Sequence, residues 1–213
     1  ARHPDAFVRP SPSGGSMGGV ARRTRETILA VEASGFDVIL VETVGVGQSE
    51  YAVADLVDMF ALLVAPGGGD DLQGIKKGIV EMADLLVVTK DDGDLAKAAS
   101  RAFQDYRSAI HMLRTGNELW RPHVLRCSAH TGAGIPEVWE KMDEFGKIMR
   151  DAGATDEKRA EQAASWMWDE VTATLIERVR QKSDVADTLE ADVRAGKITP
   201  TDAALKLIDR FNT

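Results

Sequence analysis

An α/β domain with a mostly parallel sheet, helices on both faces and an all-α appendage behind it is the fold that this sequence predicts. Three observations carry that expectation. Four stretches, 38–41, 60–64, 85–88 and 123–127, read as buried strands, most of them Val-, Ile- and Leu-rich without alternation. Helix-patterned sequence alternates with them, which implies parallel βαβ units rather than a sandwich. After Gly153 and Ala154 no strand-like run recurs.

Residues 1–19 hold Pro4, Pro10 and Pro12 among serines and glycines and read as a loop. Arg22, Arg23 and Arg25 suit a solvated helix start. Thr24 to Ser34 forms a helix with Ile28 and Val31 on one face, closed by Gly35 as a left-handed cap. It leads into Val38-Ile39-Leu40-Val41, read as a central strand. Tyr51 to Asp58 is weakly helical or irregular, and Phe60 to Val64 is the second strand, ending in Pro66-Gly67-Gly68-Gly69-Asp70-Asp71. A helix from about Leu72 to Ala83 precedes the third strand, Leu85 to Val88. Leu95 to Leu113 is helical, with Ala98, Ala102, Tyr106 and Ile110 at successive turns. His123 to Cys127 is the fourth strand. Pro136 then opens a helix to Met149 whose Val138, Met142, Phe145 and Met149 share a face.

The composition change divides the chain into an α/β part, 1–153, and a helical part, 154–213. Ala164, Trp168, Val171, Leu175 and Val179 mark one stripe of a long helix. A shorter helix ends at Gly196, and Thr199-Pro200-Thr201-Asp202 caps a last one carrying Ala204, Ile208 and Phe211. Trp166 and Trp168 cannot occupy the same face; each is read either as a core anchor or as an anchor for a partner subunit. So small an appendage has little core of its own. Its stripes therefore predict either pairing with a second copy of the chain or folding back onto the α/β part.

A chain of 213 residues with 44% hydrophobic residues can bury a sizeable core. The net charge of −8 disfavours nucleic acid and anionic membrane surfaces as partners, so any phosphate site must be made locally. Cys127 is the only cysteine, which excludes an intrachain disulfide and a cysteine-built zinc site and points to a reducing cytoplasm. No apolar run reaches the length of a membrane span, and the start lacks the apolar core of a signal peptide. The loop-like beginning without methionine reads as a truncated chain.

The chemistry concentrates where strands end. Glu42, at the carboxyl end of the first strand run, with Gly45 and Gly47 behind it, is placed to meet a metal-bound phosphate, the glycines letting backbone N–H groups approach the oxygens. Gln48 can orient an attacking water. Thr89-Lys90-Asp91-Asp92 follows the third strand. Its Asp92 can accept hydrogen bonds from N1–H and the exocyclic amine of guanine, a donor pair that adenine lacks. The aliphatic stem of Lys90 can cover the base plane. The turn at Ser128-Ala129, after the fourth strand, offers a backbone N–H to the guanine carbonyl. Taken singly, each motif also has a bland reading as a tight turn or surface acid; it is their order, each after a buried strand, that carries weight.

RPSPSGGSMGGVARRTRET, ETVGVGQSE, GDDLQGIKKGI, TKDDGD and WMWDEV together resemble the GTPase family of chaperones for cobalamin-dependent mutases, the MeaB- and ArgK-like proteins related to methylmalonic aciduria type A protein. The resemblance covers nearly the whole chain. It implies a P-loop NTPase-type G domain, N-terminally truncated before its first strand, phosphate loop and first helix, with the C-terminal helices as a dimerisation arm. It further implies GTP or GDP with Mg2+ as ligands and hydrolysis of GTP. Glu42 and Gly45 would belong to the second switch, Glu42 reaching Mg2+ through water, and Thr89, Lys90 and Asp92 to the guanine motif. The loop 67–77, with Asp70, Gln73, Lys76 and Lys77, would be a mobile segment near nucleotide and mutase. The partners implied are a cobalamin-dependent acyl-CoA mutase and a second copy of the chain, and the function is gating the mutase's assembly or protection. One departure stands out: the 213 residues contain no G-x-x-x-x-G-K-[ST] run, so this chain alone is expected to hydrolyse GTP poorly. Two other functions compete with this one. A non-catalytic binding or dimerisation module without a phosphate loop is one. A metal-delivery GTPase is the other, disfavoured because His3, His111, His123 and His130 are scattered beside a single cysteine.

Overall fold

The computed structural model describes residues 5–10, 17–43, 49–67, 77–112, 118–181 and 183–211. Within them β1 (Ala61–Val64), β2 (Leu85–Val88) and β3 (His123–Arg126) form a sheet in that order, both pairings parallel. Ala61 faces Leu85, and Leu85 faces His123. β2 is buried along its whole length, as its non-alternating Leu-Leu-Val-Val predicts.

Helices cover both faces of the sheet. On one, Leu86 and Val88 pack with Val64, with Ile79 and Val80 of α3 (Lys77–Met82), and with Ala99, Ala102, Tyr106 and Ile110 of α4 (Ala96–Met112). On the other, Leu85, Val87 and Cys127 meet Val138 and Met142 of α5 (Ile135–Asp151). Each such fully buried Val or Leu stabilises the fold by about 1.5–3 kcal/mol. The α4 stripe starts at Ala99 rather than Ala98, and the expected α5 stripe holds throughout, with Phe145 edge-on to Trp120 at 5.2 Å. α1 (Met17–Ala33) and α2 (Ser49–Ala54) flank the stretch that carries Glu42.

The first strand expected from sequence is not formed. Residues 36–43 are neither helix nor strand, and Leu40 is 76% exposed. A non-alternating apolar run becomes a strand only when neighbours pair its backbone and cover both faces. Among the described residues β1 pairs with β2 alone, and no strand lies beside 38–41. Its pattern records a burial that those residues do not supply.

Beyond Gly153, in the left-handed region at φ 73°, the chain is helical: α6 (Ala154–Gln181), α7 (Ser183–Arg194) and α8 (Pro200–Phe211). Thr199 and Asp202 form a reciprocal cap on α8. The Asp202 N–H donates to Thr199 Oγ1 at 3.1 Å and that hydroxyl donates to Asp202 Oδ2 at 2.8 Å. Two compact units result, Ala1–Gln162 and Ala163–Thr213, so the first turns of α6 count with the α/β part. Among the described residues no helix is long and apolar enough to cross a membrane.

The amino ends of the strands are stitched by Asp84. Its carboxylate accepts the Phe60 N–H at 2.8 Å, and its carbonyl accepts the Trp120 indole N–H at 2.9 Å. Burial raises the Asp84 pKa above the ordinary value, against the Phe60 bond and Lys158, which lower it. A folded-state value above the unfolded one means that the native state holds the proton longer. Stability from this group is therefore full below the unfolded value near 3.8 and falls as pH rises through the folded value. Asp84→Asn keeps an acceptor for Phe60 and removes the buried charge. Urea melts should show the variant matching the wild type near pH 3 and becoming more stable by up to about 1 kcal/mol at pH 7. A variant that matches the wild type near pH 3 but is less stable at pH 7 would show that the charge itself is needed.

Candidate functional site

The register of the sheet sets the site. Val88 pairs with Arg126, so the residues that leave β2 and β3 at their carboxyl ends emerge side by side. Backbone bonds then lace the two exits together. Thr89 N–H donates to the Val64 carbonyl at 2.8 Å and its hydroxyl to the same oxygen at 3.1 Å, tying the end of β2 to β1. Cys127 N–H donates to Val88 O at 2.9 Å, and Asp91 N–H to Cys127 O at 3.1 Å. Arg126 adds an ion pair to Asp91 at 3.5 Å while its guanidinium lies 5.1 Å from the Phe103 ring centre.

Lys90 sits in the left-handed region, φ 57°, among the described residues the only non-glycine to do so. A β-carbon makes that conformation costly, so a lysine held there marks a turn shaped for something other than stability. Asp92 is extended, φ −151°, at the start of the 3-10 turn Gly93–Leu95, and its side chain does not cap that turn. Its Oδ2 instead accepts a hydrogen bond from the Ser128 hydroxyl.

Ser128 is fully buried, and its polar groups are all engaged. Besides donating to Asp92, the hydroxyl accepts Thr131 N–H at 3.0 Å; the Ser128 N–H donates to Ala133 O at 2.8 Å; its carbonyl accepts Gly132 N–H at 2.9 Å. Gly134 closes this loop against β3. At φ 75°, a β-carbon there would come 2.1 Å from the Arg126 carbonyl oxygen, so no other residue fits without moving the loop. Since Ser128 spends its N–H inside the loop, the donor expected of the Ser128-Ala129 pair falls to Ala129, which is exposed. The serine side chain is what the sequence reading missed. Nothing in the sequence alone signals it, because the pairing depends on which strand exits lie side by side.

Cys127 lies beneath the site. Burial, and after it the Asp91 carboxylate, push its thiol pKa up, which keeps it neutral at pH 7 and unsuited to nucleophilic work.

Thr89, Lys90, Asp92, Ser128 and Ala129 are thus brought together. Glu42 is exposed in the irregular stretch 36–43, and among the described residues no hydrogen bond or ion pair ties it to the β2 and β3 exits. Gly45, Gln48, Asp70, Gln73 and Lys76 fall outside the described residues, and Lys77 is the first residue of α3. No group of three or more His, Cys, Asp or Glu suited to hold a metal occurs among the described residues.

The model of the family described as methylmalonyl Co-A mutase-associated GTPase MeaB matches residues 1–184. The chain belongs to the MeaB family. Among MeaB-like relatives, a mouse protein named methylmalonic aciduria type A homolog, mitochondrial, is 47% identical over 216 residues, covering 100% of this chain and 52% of that protein. A putative GTPase of Caulobacter vibrioides is 49% identical over 210 residues, 97% of this chain and 64% of its own. The chain therefore spans between half and two thirds of the length of these relatives. A crystal structure described as a LAO/AO transport system kinase superposes with a TM-score of 0.76 at 36% identity, over 100% of this chain and 68% of that one. The parallel sheet with helices on both faces is accordingly that of the P-loop NTPases.

Proposed function

We propose that this chain is the guanine-recognising and partner-engaging part of a GTP-hydrolysing chaperone that gates assembly or protection of a cobalamin-dependent acyl-CoA mutase of the methylmalonyl-CoA type. The observation that carries the proposal is the Asp92 carboxylate held by the buried Ser128 hydroxyl where β2 and β3 end together. A fixed acceptor there meets the N1–H and exocyclic amine of guanine, the Lys90 stem covers the base plane, and the Ala129 N–H reaches the carbonyl. An adenine base leaves Asp92 without donors, a mismatch that costs far more than a matched pair gains.

Hydrolysis draws on Glu42, Gly45 and Gln48. Mg2+, when bound, neutralises charge on the β and γ phosphates. A single exposed carboxylate such as Glu42 suits that ion, which keeps most of its waters and is bound largely through phosphate oxygens. Gln48 orients the attacking water, and Asp70, Gln73, Lys76 and Lys77 supply a segment that responds to nucleotide and mutase. The 213 residues contain no G-x-x-x-x-G-K-[ST] run, so turnover requires such a segment alongside them. The helical part, 154–213, serves as a homodimerisation arm, and Cys127 as a free, buried thiol favours a reducing compartment such as the cytoplasm.

The test joins the 213 residues behind a strand, phosphate loop and helix, and titrates it with GDP, IDP, XDP and ADP. Expected is tightest binding of GDP, weaker binding of IDP, which lacks the exocyclic amine, and none of ADP. Co-elution with methylmalonyl-CoA mutase should then depend on which guanine nucleotide is present. Equal affinity for GDP and ADP overturns the site assignment. Guanine selectivity without mutase co-elution overturns the partner and leaves a plain GTPase.

A further inference from the structure

At the opposite end of the sheet from Asp92, the first turns of α6 grip the chain that leads into β1. Arg159 donates from Nε to Asp58 Oδ1 at 2.7 Å and from Nη2 to Asp58 Oδ2 at 2.6 Å, a bidentate fork, and from Nη1 to Glu32 Oε1 at 2.9 Å. Lys158 Nζ donates to the Asp58 carbonyl at 2.9 Å, and the buried Gln162 donates to the Val57 carbonyl at 3.2 Å. Residues 158, 159 and 162 lie on one side of a helix, so a single surface of α6 makes all five bonds.

The two acids that Arg159 holds are far apart in sequence. Glu32 closes α1, and Asp58 follows α2. Between them run the irregular residues 36–43, with Glu42, and α2 itself. One guanidinium therefore fixes both ends of that stretch. Half-exposed ion pairs add little to global stability, so the fork is poorly explained as a fold stabiliser. Its planar geometry instead sets the position of whatever hangs from it.

We propose that Arg159 is a positioning residue for the Glu42 stretch, a latch that couples the root of α6 to residues 36–43 and 49–54. Displacing α6 at its root slackens the stretch, and a shift of the stretch is felt at the root of α6. The inference deepens the proposed function by giving the root of α6 a route to Glu42, but the coupling stands or falls without nucleotide.

Hydrogen exchange on the full 213-residue chain tests it, comparing the wild type with Arg159→Lys, Arg159→Gln and Asp58→Asn. Lysine keeps the charge and loses the fork. Expected in Arg159→Lys is exchange about tenfold faster at the hydrogen-bonded amides of 30–36, where Glu32 closes α1, and of 49–54, with β2 and α5 unchanged; Arg159→Gln should go further. Asp58→Asn, at the other side of the latch, should in turn speed exchange at 155–162. Unchanged exchange at 30–36 and 49–54 in both Arg159 variants overturns the proposal. So does a uniform rise across β2 and α5, which would make Arg159 an ordinary stabilising residue. Because no nucleotide is present, loss of guanine selectivity in the titrations above cannot be mistaken for failure of the latch.

Discussion

Replacing Asp92 by asparagine is expected to turn a guanine site into one that prefers xanthine. The carboxylate presents only acceptors, matching the donors at positions 1 and 2 of guanine, whereas the amide presents one acceptor and one donor. Xanthine carries a carbonyl at position 2, so a donor there is an asset. The Ser128 hydroxyl makes this change clean: it donates to Asp92 Oδ2 and can donate equally to the amide oxygen, which aims the NH2 group outward. A charge-assisted bond contributes about 1.5–3 kcal/mol, or roughly one to two decades of affinity. With the phosphate-loop segment joined upstream, GDP should weaken about 10- to 100-fold and XDP tighten. Ser128→Ala serves as the contrast. It frees Asp92 to rotate and removes the acceptor for Thr131 N–H, so GDP should weaken about tenfold with no gain for XDP. Unchanged GDP affinity in Asp92→Asn sinks the assignment of this carboxylate.

The second large effect concerns mass in solution. α6 leaves Trp168, Val171, Leu175 and Ile176 exposed, and α8 leaves Leu205 and Ile208 exposed, with Trp168 at 65%. Scattered apolar residues are ordinary on a surface, but runs along successive helical turns mark a face that is covered by something. Stable interfaces hide about 800 Å² per partner, which a long helix with a shorter pair can supply to a two-fold mate. Light scattering should give the full chain twice its protomer mass and a chain ending at Gln162 the mass of a folded monomer. The cut belongs after Gln162 and not after Gly153, because Lys158, Arg159 and Gln162 are part of the first compact unit. A monomer for both chains would exclude the arm from dimerisation.

The elements that sequence reading placed well are those whose burial the chain itself completes. β2, wholly apolar and covered by α4 and α5, was legible to the residue. The Thr89 to Asp92 turn was legible in position, at the carboxyl end of β2, because a buried apolar run giving way to polar residues marks a strand exit. Residues 38–41 misled for the converse reason: apolar content announces burial but not the neighbour that supplies it. Nor could the Ser128 to Asp92 bond be seen in advance, since it depends on register between strands remote in sequence. The Arg159 fork was equally hidden, because charge on a helix surface looks the same whether it is solvated or paired across the chain.

The left-handed backbone of Lys90 has an evolutionary reading. A lysine in that conformation costs about 1–2 kcal/mol relative to a residue free of steric conflict, and glycine is free of it. Lys90→Gly should therefore raise the melting temperature by a few degrees while stripping the stem from the base platform. Random mutagenesis screened for heat tolerance alone would drift toward glycine at this position, and selection for nucleotide binding would drive it back. Robustness and recognition are thus set against each other at one residue, and which of them prevails in a laboratory lineage would report what the turn is for.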